Sequence, residues 1–417
     1  MHAKNTHSLI VVNIYLKERS SKARRCLKVS QKSSAITHRL KAVAYLSTYP
    51  PRECGIATFT KDLVNGIDAL HEFKSQTVIA INEKETIYNY DRRVKCQIEQ
   101  DSPEDYVQAA RYVNSSKADL VNLQHEFGVF GGDWGEYVKL FLQNLQKPVV
   151  TTLHTIEPDF ELKAQTILRY IANHSAAIIV ITKKALQLLE NYDIGREKVT
   201  VIPHGCPNVP FVSSEKVKPS LGLDGRIILC TFGLINPGKG VEYAIQALPS
   251  IVKKEPRVLY LILGETHPEV RKIEGERYRM KLMSLVDKLQ LGKHVRFHNR
   301  FLSKAELIKY LLATDIYISP YISPSQISSG TLVYALGAGR AIISTPYLHA
   351  REALANNRGL FCKFKDPDSI AESISVLLKN EGLRKKMEKK VYEYSRKFIW
   401  SNVAMRYAEL FRQVLKT

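Results

Sequence analysis

From residue 41 onward the chain alternates short, wholly apolar runs with longer amphipathic stretches, and it does so in two successive sets. The first set of runs reads 41–48, 76–81, 119–126, 148–155, 176–182 and 199–203; the second reads 226–234, 257–264, 294–301, 315–320, 340–345 and 359–364. A strand apolar along its whole length must be covered on both faces, and helices between such strands return the chain to pair in parallel. Two sets therefore predict an α/β protein of two doubly wound, Rossmann-like domains. The boundary is legible at Pro203-His204-Gly205-Cys206-Pro207-Asn208-Val209-Pro210 and the polar stretch from Ser213 to Ser220, a linker composition. The domains are expected over residues 41–208 and 219–398. A last helix, over 402–417, follows a break near Phe398-Ile399-Trp400 and is expected to complete the first domain.

Charge is concentrated at the front. The formal net charge is +20, and residues 1–42 hold ten Lys or Arg against one acid, Glu18. Residues 1–40 read as a basic, disordered leader, with a tether to an anionic membrane face as the second reading. Nucleic acid is not expected as a partner, since no finger spacing, aromatic RNA-binding signature or helix-turn-helix signal is present. No apolar run reaches the roughly eighteen residues of a spanning helix. The six cysteines are scattered, without a Cys-x-x-Cys pair, as for free thiols in a reducing compartment. A cytoplasmic protein, at most peripheral to the inner membrane face, is the expectation.

In open parallel sheets, ligands bind beyond the carboxyl ends of the strands. Five loops at such ends carry unusual residues. The first, 48–59, has Arg52, Glu53 and Gly55 at a helix start. The second has Gln124-His125-Glu126 followed by four glycines in eight positions. The third is the strand end at His154; a core histidine is the usual alternative, but the carboxyl edge of a parallel sheet favours a functional one. The fourth, Phe232-Gly233-Leu234-Ile235-Asn236-Pro237-Gly238-Lys239-Gly240, places glycines and a lysine before a helix, which suits a pyrophosphate. The fifth, 320–331, presents Gln326, Ser328, Ser329, Gly330 and Thr331 at another helix start; a simple Ser/Thr cap is the alternative there.

Taken as a set, several strings resemble the family 4 glycosyltransferases. They are Pro50-Pro51-Arg52-Glu53-Cys54-Gly55-Ile56-Ala57-Thr58-Phe59, the Phe232-Gly233 to Lys239-Gly240 turn, Ala313-Thr314-Asp315-Ile316-Tyr317-Ile318-Ser319-Pro320, and the segment from Ala335 to Pro346. The resemblance spans nearly everything from Lys41 to the end. It implies the GT-B fold of two facing Rossmann-like domains with a cleft between them. It also implies a retaining hexosyltransferase using a nucleotide-sugar donor, GDP- or UDP-linked with mannose favoured, and a sugar, lipid or polysaccharide acceptor. No cofactor or metal is implied. In this scheme His154 and Lys239 are catalytic, and Gly55, Gly233, Lys239, Gln326, Ser329, Gly330 and Thr331 bind the donor. Arg52, Glu53, His125 and Glu126 face the acceptor.

Three departures stand against the family pattern. Gln326 and Tyr334 occupy the positions of its two glutamates, and Leu234 that of its arginine before the lysine. A variant donor site is therefore expected. A non-catalytic GT-B subunit supporting a partner transferase is the alternative.

Overall fold

The computed structural model describes residues 41–416, and the basic stretch over residues 1–40, with its membrane-tether reading, lies outside the described residues. Two all-parallel sheets form the framework. The first holds β1 (Ala42–Ser47), β2 (Ser75–Asn82), β3 (Val94–Glu99), β4 (Leu120–His125), β5 (Val149–Leu153), β6 (Ala177–Val180) and β7 (Val199–Val201). Its spatial order is β3-β2-β1-β4-β5-β6-β7. The second holds β8 (Ile227–Phe232), β9 (Val258–Leu263), β10 (Val295–His298), β11 (Ile316–Ser319), β12 (Ala341–Ser344) and β13 (Leu360–Phe361), in the order β10-β9-β8-β11-β12-β13. In each sheet the order reverses beside the first strand, between β1 and β4 and between β8 and β11. Those reversals are where connections to opposite faces leave a crevice.

The central strands are buried along their length, as in β1 and β9, because helices cover both faces. The edge strand β3 has no counterpart among the apolar runs of the sequence. Its residues Val-Lys-Cys-Gln-Ile-Glu alternate, and only Ile98 is fully buried. An edge strand needs one covered face, so it lacks the continuous apolar signal of its neighbours.

The last helix, Trp400–Val414, leaves the second domain and packs on the first. Trp400, Val403, Tyr407 and Phe411 share a core with Val43, Tyr45, Phe59 and Leu63. A Cβ at Gly66 would lie 2.8 Å from that of Ala404, so glycine permits the close helix approach. The two segments that cross between domains run side by side. Cys206 N donates to Phe398 O at 2.8 Å, and Trp400 N donates to Cys206 O at 3.1 Å. The stretch after the crossing, polar in sequence, is pinned to the second domain. Lys218 is fully buried and pairs with Asp315 at 2.8 Å, and Ser214 donates to the same carboxylate at 2.5 Å.

Candidate active site

The cleft between the sheets contains a cavity of about 440 Å³ at both topological reversals. Three loops build its polar wall. After β8 the chain turns through Gly233, whose φ of +117° is open to glycine alone; a Cβ there would lie 3.2 Å from Lys239 Nζ. Lys239 ends the 3₁₀ turn Pro237–Lys239 and donates to Tyr321 Oη at 2.8 Å. Tyr321 Oη in turn meets Thr331 Oγ1 at 2.9 Å, and Thr331 Oγ1 meets Ser329 Oγ at 3.2 Å. Burial raises the Tyr321 pKa, but the Lys239 charge and these hydrogen bonds outweigh it and bring the phenol below its usual value.

Two helix starts open into the same space. The helix Gly330–Gly337 is capped by Ser329, whose hydroxyl accepts from Leu332 N. Ser329's own amide is taken by His349 Nδ1 at 2.8 Å, so the amides of Gly330 and Thr331 are those left open at this end. The helix Gly55–Asp68 begins after Cys54 without a side-chain cap, and a Cβ at Gly55 would meet nothing within 4 Å. Both starts carry partial positive charge. With Lys239 they line one cavity, Gly55 from the first domain and Gly330 and Lys239 from the second.

The facing wall comes from β4 and β5. His154 Nε2 lies 2.8 Å from Gln124 Oε1. The chain of amides behind it sets the direction: Asn122 Nδ2 donates to Val150 O, and Gln124 Nε2 donates to Asn122 Oδ1. Gln124 Oε1 can only accept, so His154 carries its proton on Nε2 and has its lone pair on Nδ1. Burial, helped by His204 and His125, lowers its pKa to about 3, so the ring is neutral at pH 7. Glu126 accepts from Thr155 Oγ1 at 2.5 Å and Phe127 N at 3.1 Å. Burial raises its pKa against those bonds.

Not every residue expected at the cleft reaches it. His125 is fully buried, stacked on Phe130 at 5.6 Å and edge-on to Phe127 at 4.8 Å. Successive strand side chains alternate, so it enters the aromatic layer behind the sheet, away from the acceptor side. Arg52 is also turned away. Its guanidinium donates to Ile81 O and Gln100 Oε1, both at 2.9 Å, and ties its loop to the end of β2. Glu53 does face the cleft, at a second cavity of about 430 Å³ shared with Glu83, Tyr88, Arg271 and Lys272. The neighbouring Glu265 carboxyl of the opposite domain, then burial, push its carboxyl up to about 7.

Two family models match this chain in series. Glycosyltransferase Family 4 covers residues 55–207, and Glycosyl transferases group 1 covers residues 213–394. The chain belongs to the family 4 glycosyltransferases. It is 24% identical to the phosphatidyl-myo-inositol mannosyltransferase of Mycolicibacterium smegmatis over 66% of this chain and 67% of that one. It is 25% identical to an uncharacterized glycosyltransferase of Methanocaldococcus jannaschii over 60% of this chain and 62% of that one, short of two thirds of that relative's length. In fold it is similar to Anabaena HepE in complex with UDP and glucose, with a TM-score of 0.70 at 14% identity over 89% of this chain and 100% of that one. It is also similar to sucrose-phosphate synthase from Thermosynechococcus elongatus, with a TM-score of 0.71 at 17% identity over 90% and 99%. The two facing parallel sheets are thus a GT-B fold.

Gln326 lines the cavity, and its amide donates to Ser328 O at 2.6 Å. Tyr334 is directed across the cleft, where Oη donates to Asp62 Oδ2 at 2.7 Å; Lys304 Nζ holds the other oxygen of Asp62 at 2.5 Å. That makes Tyr334 a strut between domains. Gly330 is tight for a reason absent from the sequence reading: a Cβ there would lie 2.8 Å from His204 Nε2. Sequence reasoning passed over His204 because it sits inside the Pro/Gly-rich crossing segment. A histidine between two such breakers, just past a parallel strand end, is the signal that could have marked it.

Proposed function

We propose that this glycosyltransferase moves a hexose, with retention, from a nucleoside diphosphate sugar to a hydroxyl of a sugar, lipid or polysaccharide acceptor. The carrying observation is the convergence of Lys239 and the open helix starts at Gly55 and Gly330 on one cavity, since a diphosphate needs a cation and amide donors. A UDP-bound fold neighbour supports a nucleotide-sugar donor, and the mannosyltransferase relative makes GDP-mannose the first donor to try. No cofactor or metal is needed in this scheme. The five described cysteines are unpaired, in keeping with a reducing, cytoplasmic site of action.

In the proposed reaction the acceptor oxygen bonds to C1 on the face from which the diphosphate leaves. The C1–O bond to the diphosphate breaks, and the acceptor proton passes to the departing phosphate oxygen. Lys239 and the amides at the two helix starts take up the developing charge. Among the described residues lining the cavity, Glu126 is the one carboxyl, whereas a double displacement through carboxylates requires a pair.

The test is thermal denaturation with GDP, UDP, GDP-mannose and UDP-glucose, because ligand binding to the folded state raises apparent stability. Transfer is then followed by NMR of the product anomer. No shift with any nucleotide refutes the donor site, and an inverted anomer refutes retention. The commitment of Tyr334 to Asp62 favours one second reading, a non-catalytic subunit; nucleotide binding without transfer or donor hydrolysis would select it.

A further inference from the structure

The cavity has two chemically distinct walls, and a residue not yet given a role stands between them, beside Gly330 on one side and, through Phe59, next to His154 on the other. His204 lies in the crossing segment, partly exposed, with its ring at the cavity. Its Nδ1 is 2.8 Å from Gly205 O. A carbonyl only accepts, so Nδ1 carries the proton and Nε2 carries a lone pair. No protein group bonds to Nε2, and it is not sealed among the buried polar atoms that lack partners. It lies beside Gly330, at the helix start. The ring is held edge-on to Phe59 at 5.0 Å and packs beside Trp400 at 5.7 Å. Phe59 also packs edge-on against His154, at 4.8 Å. One aromatic side chain thus seats both histidines.

Each histidine therefore presents a lone-pair nitrogen at the cavity, Nδ1 from His154 and Nε2 from His204. Burial is the main cause that lowers the His204 pKa, to about 4. A neutral ring nitrogen repels phosphate oxygens and needs a donor. The Lys239 wall has the opposite preference. The ligand group that fits the histidines is a hydroxyl.

We propose that His204 Nε2 accepts a hydrogen bond from a hydroxyl of the transferred sugar, making it, with His154, a two-acceptor clamp that places the hexose apart from its diphosphate. This rests on the reading of the cavity as a nucleotide-sugar site.

The experiment compares wild type, His204→Phe and His204→Gln for binding of a nucleoside diphosphate and of the corresponding nucleotide sugar, with kcat and KM for transfer. Phenylalanine keeps the packing against Phe59 and Trp400 without the lone pair, and glutamine returns an acceptor. His204→Phe should bind the diphosphate within twofold of wild type. It should lose about tenfold of the affinity for the nucleotide sugar, as expected for one unmade hydrogen bond, and more in kcat than in KM. His204→Gln should recover most of that loss. The proposal is overturned if His204→Phe binds and turns over the nucleotide sugar like wild type, or if diphosphate and nucleotide-sugar binding fall together. If His204→Phe does not fold, monodeoxy nucleotide sugars against the wild type replace it. At least one must bind about tenfold more weakly, and uniform binding overturns the proposal. Failure of the wild type to bind any nucleotide sugar is a separate result, which removes the donor-site reading itself.

Discussion

Replacing Tyr334 by phenylalanine removes one oxygen atom from the contact that joins the two domains. Tyr334 Oη and Asp62 Oδ2 are 2.7 Å apart, and both side chains are about 6% exposed. A hydrogen bond to a charged group contributes about 1.5–3 kcal/mol net. The upper end would apply to a carboxylate left with no partner. Here Lys304 remains on Oδ1 at 2.5 Å, so the lower end, about 1.5 kcal/mol, is expected. The ring itself stays, keeping its contacts with Phe232 and His204 at centroid distances of 6.4 Å. That free energy corresponds to roughly a tenfold shift toward separated domains. Asp62→Asn should cost more, because it weakens the Lys304 contact as well. Small-angle scattering and the first transition of a urea titration report the two consequences, domain separation and lost stability. Unchanged values for Tyr334→Phe in both would refute the strut. So would equal losses from Tyr334→Phe and Asp62→Asn, since the two differ only if Lys304 also grips the carboxylate.

Lys239→Ala should keep the fold and lower turnover at saturating donor by about two orders of magnitude, since one preorganised charge on a leaving group contributes roughly 3 kcal/mol; steady-state kinetics would show otherwise if kcat were unchanged. Glu53 is an acid whose folded pKa is raised to about 7 from 4.5, so its contribution to stability is fully present below about pH 4.5 and is lost as pH rises to about 7. Glu53→Gln should therefore melt increasingly above wild type as pH goes from 4.5 to 8, and a constant difference across that range would remove Glu265 as the cause. Gly330→Ala should displace the His204 ring, at an overpacking cost of about 1 kcal/mol. It should weaken nucleotide-sugar binding more than diphosphate binding in calorimetry, and equal weakening would mean the methyl obstructs the phosphates instead.

Much of the framework was legible in order along the chain. Twelve of the thirteen strands fall on the apolar runs, and the central ones are apolar along their length because both faces are covered. Strand ends then mark where ligands can bind, and glycines and a lysine before a helix mark an anion site. Those signals fall on Gly55, Gly233, Lys239, Gln326 and the turn from Ser328 to Thr331, all of which line the cavity. The edge strand β3, with one covered face, carries no such signal.

What the chain order could not decide is which way a polar side chain turns once it reaches the cleft. His125 ends β4 opposite Leu153 of β5, and His154 lies one residue further on, so alternation turns one toward an aromatic layer and the other toward the cavity. Arg52 and Glu53 are adjacent in sequence and serve different neighbours, the end of β2 and a carboxyl of the other domain. Tyr334 meets Asp62 across 272 residues, and His204 comes beside Gly330 only because the crossing segment passes the start of a distant helix. Local pattern determines the sheets, since backbone pairing and burial repeat with a short period. The partners of buried polar groups are set by the docking of the two domains, which has no period in the sequence.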